Sequence, residues 1–260
     1  MIQALEDKMK GLIDAYLKAK QTDELGEEIA FNDRMKNNRA WLKDNILNLE
    51  KLKNYSDAEF AEKFGEMFDH TNGSASANAR ARGMYFNTNE KRLAVRNQFE
   101  NMVGYIVNHD GDHFDIVAEV TAENSAYGVH GIGPHMASAL VNAEYPDVPA
   151  VNTDTKDFFR NIGEPLPKEM AKQQHEVGKF FADMLALNSE LTLDDVDHIC
   201  WYSKTIPSGC EYMMSNFPTT FVSENNTRRN TTRRRAKKMT PEEQLAARIA
   251  ELQAIQARSN

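Results

Sequence analysis

The sequence predicts an all-α fold, and three observations carry that expectation. Nearly every patterned stretch places apolar residues at helical spacing. No stretch alternates apolar and polar residues long enough to form a half-buried strand, and no Asn-Gly turn joins two β-branched runs. Hydrophobic residues make up 41% of the 260 and charged residues 27%, a balance that supplies a sizeable globular core.

The expected helices follow in order. Residues 1–20 place Ile2, Leu5, Met9, Leu12, Ile13, Tyr16 and Leu17 on one side of an amphipathic helix. A second helix is expected over 39–52, through Trp41, Leu42, Ile46, Leu47 and Leu49. Ser56 and Glu59 have the spacing of a capping box, opening a helix with Phe60, Phe64 and Phe68 on one face. Residues 72–87 read as a loop of glycine and small residues holding Arg80, Arg82, Tyr85 and Phe86. A helix over 90–108 buries Leu93, Val95, Phe99, Val103 and Ile106. His109-Asp110-Gly111-Asp112-His113 has metal-ligand residue types, but its spacing matches no defined geometry and it reads as a polar turn. Past a glycine hairpin and the helix it feeds come helices at 155–162, 167–187 and 193–203, the last capped by Thr192 with Asp195. Trp201 and Tyr202 read as core aromatics on that last helix.

Four regions result. An N-terminal helical region covers 1–110 and a hairpin-bearing helical region 111–222. A basic, disordered linker covers 223–239, and a C-terminal helix 240–260. Thr240-Pro241-Glu242-Glu243 opens that last helix, whose Leu245, Ile249, Leu252 and Ile255 either dock on the body or bind a protein partner.

Composition excludes several classes. No apolar run approaches the roughly 18 residues of a membrane span. Met1–Asp7 is acidic and helix-like, unlike a signal peptide. Cys200 and Cys210 are the two cysteines, and without a Cys-x-x-Cys they exclude a cysteine-ligated zinc or iron–sulfur site and suit a reducing cytoplasm. No metal or other cofactor is expected. Ser208-Gly209-Cys210 lacks the flanking pattern of a nucleophile elbow. The net charge of -8 argues against a generic nucleic-acid binder, but charge is uneven. Arg228, Arg229, Arg233, Arg234, Arg235, Lys237 and Lys238 gather without an acid among them, either as phosphate contacts or as a solvated linker.

The most informative stretch is Val129-His130-Gly131-Ile132-Gly133-Pro134-His135. It reads as a tight glycine turn feeding a helix that contains Ala137-Ser138-Ala139-Leu140. Amides at a helix N-terminus are unpaired and carry the positive end of the dipole, which makes an anion site suited to a phosphate. Downstream lies Pro149-Ala150-Val151-Asn152-Thr153-Asp154-Thr155-Lys156.

Together these segments resemble the helix-hairpin-helix DNA glycosylase superfamily, over residues 114–163, about a fifth of the chain. The resemblance rests on Gly131-Ile132-Gly133, the Ala-rich helix after it, Pro149, Val151 and Asp154-Thr155. It implies double-stranded DNA held by the hairpin around Gly131, Ile132, Gly133 and His135, with Asp154 as the catalytic carboxylate. His130 departs from the proline common in the family. His135 stands where members that also cleave the backbone carry a Schiff-base lysine, so base release without strand cleavage is implied.

The residues themselves leave alternatives open. A carboxylate beside the anomeric carbon stabilises positive charge developing on the sugar, yet Thr153 or Asp154 could equally cap the next helix. His135 reads either as a DNA contact or as an exposed helical residue, and Lys156 as a phosphate contact or surface residue. Arg80 and Arg82 suit phosphates, and Tyr85 and Phe86 suit a base pocket or wedge, or else core packing. The expected function is a monofunctional DNA glycosylase acting on a damaged or modified base. The long N-terminal portion suggests an unusual substrate, a modified base in foreign DNA, with antiviral defence as the setting. Two alternatives are a non-catalytic helix-hairpin-helix DNA-recognition module of a defence or restriction system, and a related enzyme handling modified thymine.

Overall fold

Apolar spacing and local caps decide where each helix begins. The computed structural model describes residues 3–71 and 81–220, and among these there is no strand. Helix α1 spans Gln3–Gln21 and buries Met9, Leu12, Ile13, Tyr16 and Ala19. A 3-10 turn at Gly26–Ala30 runs directly into α2, Phe31–Asn45. The single helix expected over 39–52 is two: α2 stops at Asn45, and Asn48 starts α3, Leu49–Asn54, by accepting the amide of Lys51. Helix α4, Asp57–His70, carries the expected capping box between Ser56 and Glu59 and buries Phe60, Phe64 and Phe68.

The helix expected over 90–108 also divides. Helix α5, Asn89–Ala94, and α6, Arg96–Val107, meet at Val95, which leaves helical geometry at φ −102° and ψ 1°. The break puts Arg96 within reach of Asp57 and the carbonyl of Tyr55, 2.8 Å each. Helix α7, Ile116–Thr121, and α8, Pro134–Glu144, flank the glycine hairpin and pack against each other. Helices α9, Thr153–Asn161, α10, Met170–Leu187, and α11, Leu193–Thr205, follow as expected, α11 with its Thr192–Asp195 capping box. Helix α12, Pro207–Asn216, was not expected; Pro207 at its first position is the signal that marks it.

The apolar residues form two cores. The first gathers α2 to α8 around Phe60, Phe64, Phe68, Phe86 and Phe99, whose rings meet mostly edge to face, and it takes Val129 and Ile132 from the hairpin. The second joins α1 to α9, α10, α11 and α12 around Leu12, Tyr16, Phe158, Phe181, Ile199 and Tyr202. Residue 110 therefore marks no boundary: the first core runs from Leu42 to Val148, and the described residues fall within one unit. The linker 223–239 and the helix 240–260 lie outside the described residues.

Polar side chains seal the seam between the cores. Arg39 of α2 grips both carboxylate oxygens of Asp194 on α11, at 2.6 and 2.5 Å. Asn142 of α8 accepts from Arg39 and donates to the carbonyl of Val148. Such groups are costly inside a protein unless paired, so the seam fixes how the two halves meet.

Candidate active site

The hairpin is built from the first core outward. Buried Val129 and Ile132 anchor it, and the Ile132 amide closes a turn on the Val129 carbonyl at 2.9 Å. Gly131, between them, sits at φ +96°. A Cβ there would fall 2.8–2.9 Å from the rings of Tyr85 and Phe86, so both conformation and space require glycine. Gly133 precedes Pro134, the first residue of α8. The amides of Gly131 and Gly133 donate to no acceptor among the described residues. They lie at the positive end of an 11-residue helix, an arrangement that receives an anion. Exposed His130 stands edge-on to Tyr85 at 4.9 Å, and a depression of about 350 Å³ opens beside it, between Thr121, Glu123 and Ser125.

Helix α8 carries the chain from the hairpin to the seam. Val148 belongs to the first core and Val151 to the second, so α9 begins just after the crossing. Asn152 caps α9: its Oδ1 accepts from the Thr155 amide at 3.0 Å and from the Thr155 hydroxyl at 3.2 Å. Neither Thr153 nor Asp154 is the cap. The Asp154 carboxylate instead meets the Lys204 ammonium at 2.7 Å, and the same ammonium reaches Asp157 at 2.8 Å. The side chain of Lys204 is 4% exposed and that of Asp154 35%, so the cation is enclosed and the carboxylate faces outward. Burial works against the charge of Lys204, but the bonds to Asp154 and Asp157 outweigh it and hold its pKa above the ordinary lysine value.

A further carboxyl joins this group. Helix α11 presents Asp194, Asp197 and Lys204 along one face. Asn152 Nδ2 donates to Asp197 Oδ1 at 3.1 Å. Burial, then the neighbouring Asp154 and, more weakly, Asp194, push the pKa of Asp197 up to about 7, against the opposing bond from Asn152 and the charge of Arg39. The carboxyls of Asp154, Asp157, Asp194 and Asp197 thus outnumber the cations Arg39 and Lys204. An excess of carboxyl groups favours positive charge developing nearby.

The other residues singled out in the sequence are scattered. Half-buried His135 follows Pro134 on α8, and half-buried Lys156 lies two residues beyond Asp154. The amine that pairs with Asp154 is Lys204 rather than Lys156. Arg82 is engaged within the chain, paired with Asp69 at 2.5 Å and donating to the carbonyl of Gly65 at 3.1 Å. Tyr85 stands over the hairpin. Phe86, expected in a base pocket or wedge, is 1% exposed inside the first core, so it has no face to offer a base. Arg80, Arg228, Arg229, Arg233, Arg234 and Arg235 lie outside the described residues. In the polar turn before α7, Asp112 converges with Asp115 and with His175 of α10, and their ligand atoms fall within 4.8 Å of one another. These three could hold a divalent cation, although they are mostly exposed.

Comparison with protein-family models, with curated proteins and with solved structures gives no match for this chain. Among the described residues no helix is long and apolar enough to cross a membrane.

Proposed function

We propose that the chain is a monofunctional DNA glycosylase, acting in the cytoplasm on a damaged or modified base, with foreign DNA as the setting. The observation that carries this reading is Asp154: a partly exposed carboxylate relieved of capping by Asn152 and set against the enclosed ammonium of Lys204. As the bond between sugar and base breaks, positive charge grows on the sugar, and a fixed carboxylate there lowers the barrier. The amides of Gly131 and Gly133, without an acceptor among the described residues, supply a phosphate contact on the same stretch of chain. Lys204 is protonated at neutral pH and lacks the lone pair an imine-forming nucleophile needs, which favours hydrolysis over strand cleavage.

The test is a panel of duplexes bearing uracil, hypoxanthine, 8-oxoguanine or 5-hydroxymethyluracil, together with phage genomic DNAs carrying modified bases. Abasic sites are scored by alkali cleavage and released bases by mass. Release is expected from at least one DNA, and Asp154→Asn should lower it by about 1,000-fold while DNA affinity holds. Salt-sensitive binding with no base released from any DNA would instead favour a recognition module built on the hairpin.

A further inference from the structure

We propose that Asp197 is the proton-carrying carboxyl of this site, giving its proton to the departing base while Asp154 remains the counter-charge. The inference rests on the base-release reading above.

Geometry is the first ground. Asp197 lies one helical turn beyond Asp194 and two turns before Lys204, on the face of α11 that packs on α9. Asn152 holds both ends of the arrangement. Its Oδ1 caps the helix carrying Asp154, and its Nδ2 binds Asp197 Oδ1. That is the one hydrogen bond Asp197 makes among the described residues, and its second oxygen is left for another partner.

Charge is the second ground. The charged groups acting on Asp197 are Asp154 from α9, Asp194 from α11 and Arg39 from α2; Asp197 in turn helps to raise the pKa of the buried Cys200 thiol on α11. Arg39 pairs with Asp194, and Lys204 with Asp154 and Asp157; among the described residues the side-chain partner of Asp197 is the neutral amide of Asn152. Placing a fourth carboxyl here opposes folding, and an amide would fill the same space without that cost. Its pKa near neutrality lets it both give and take a proton at working pH.

The step balances. The bond between the anomeric carbon and the base nitrogen breaks, and its electron pair leaves with the base. Asp197 delivers its proton to that base. Water adds to the anomeric carbon and its proton returns to the Asp197 carboxylate. Asp154 stays ionised throughout, and the net reaction is hydrolysis.

The experiment is single-turnover base release from pH 5 to 9, on whichever DNA of the panel the unaltered protein cleaves best. Unaltered protein should lose rate as pH rises through about 7, where Asp197 gives up its proton. Asp197→Asn should release base at least about 100-fold more slowly and without that alkaline limb. Asp197→Glu should keep the limb. An Asp197→Asn protein with unaltered rate and profile would overturn the proposal, as would a rate loss with the alkaline limb intact, which marks a merely structural role. If the unaltered protein releases no base from any DNA, the base-release reading fails first and this inference falls with it.

Discussion

Asp195 and Asp197 stand two residues apart on α11, on different faces, and their surroundings drive them in opposite directions. Asp195 faces α1. Its Oδ1 accepts from Tyr16, Lys20 and Asn32 at 2.9, 2.7 and 2.9 Å, and its Oδ2 from the Thr192 amide and hydroxyl at 2.9 and 2.7 Å. Burial alone would raise its pKa, but the bonds from Lys20, Thr192 and Asn32 win and bring it down to about 2. Asp197 faces α9, has one donor and acidic neighbours, and moves up to about 7. Same residue type, same helix, opposite outcomes: a carboxylate surrounded by donors holds a fold together, whereas one left short of them is ready to exchange a proton.

That contrast can be broken most severely at Asp195. Asp195→Ala leaves the Lys20 ammonium, the Tyr16 hydroxyl and the Asn32 amide without their shared acceptor. Urea unfolding at pH 7.5 should show a loss of about 3–5 kcal/mol. A loss below about 1 kcal/mol would remove Asp195 as the structural member of the pair.

His198 sharpens the same contrast through pH. Its ring lies between Phe31 and Trp201, at centroid distances of 4.4 and 4.9 Å. Tyr16 donates to Asp195, so the Tyr16 oxygen takes the proton of His198 Nδ1 at 3.2 Å, leaving buried Nε2 with no partner among the described residues. Burial lowers its pKa to about 4, against the pull of Glu28 and Asp195 and with the push of Arg34 and Lys20. The folded value lies below the ordinary 6.5, so the unfolded chain binds the proton first. Stability is whole above about 6.5 and drains as pH falls toward 4, by at most about 3 kcal/mol. His198→Phe keeps the ring stack and should flatten that dependence between pH 7.5 and 5 in urea unfolding. An unchanged slope would place the acid sensitivity elsewhere.

The smallest effect has the opposite sign. The folded pKa of Asp197 lies above the ordinary 3.8, so its contribution is whole below that pH and is lost as pH rises toward 7. Asp197→Asn should therefore be more stable than the unaltered protein at pH 8, by about 1–2 kcal/mol, with the advantage fading toward pH 4. Destabilisation at pH 8 would show that Asp197 serves the fold after all.

Local chemistry was legible in the sequence and cross-chain register was not. The capping boxes at Ser56 and Thr192, the phenylalanine face of α4 and the positive φ of Gly131 are local, although the crowding of Gly131 by Tyr85 and Phe86 is not. Asp154 could be singled out for the same reason. Lys204 and Asp197 could not, because nothing in a linear reading aligns the face of α11 with the start of α9. The one local clue was their spacing on a helix among apolar residues. Phe86 deceived for a related reason. Beside Tyr85, Arg82 and Gly83 it reads as a loop residue, and packing against Phe64 and Phe68 of α4 draws it into the core.

The bond between Tyr16 and Asp195 spans 179 residues. Helix α1 is synthesised well before the surfaces it needs on α11 and α12. Until then its apolar side has no home, while the first core, complete by Val148, can already close. The seam holding Asp154, Asp197 and Lys204 consequently takes shape only once α11 has been made, when the first core can already have collapsed around its phenylalanines.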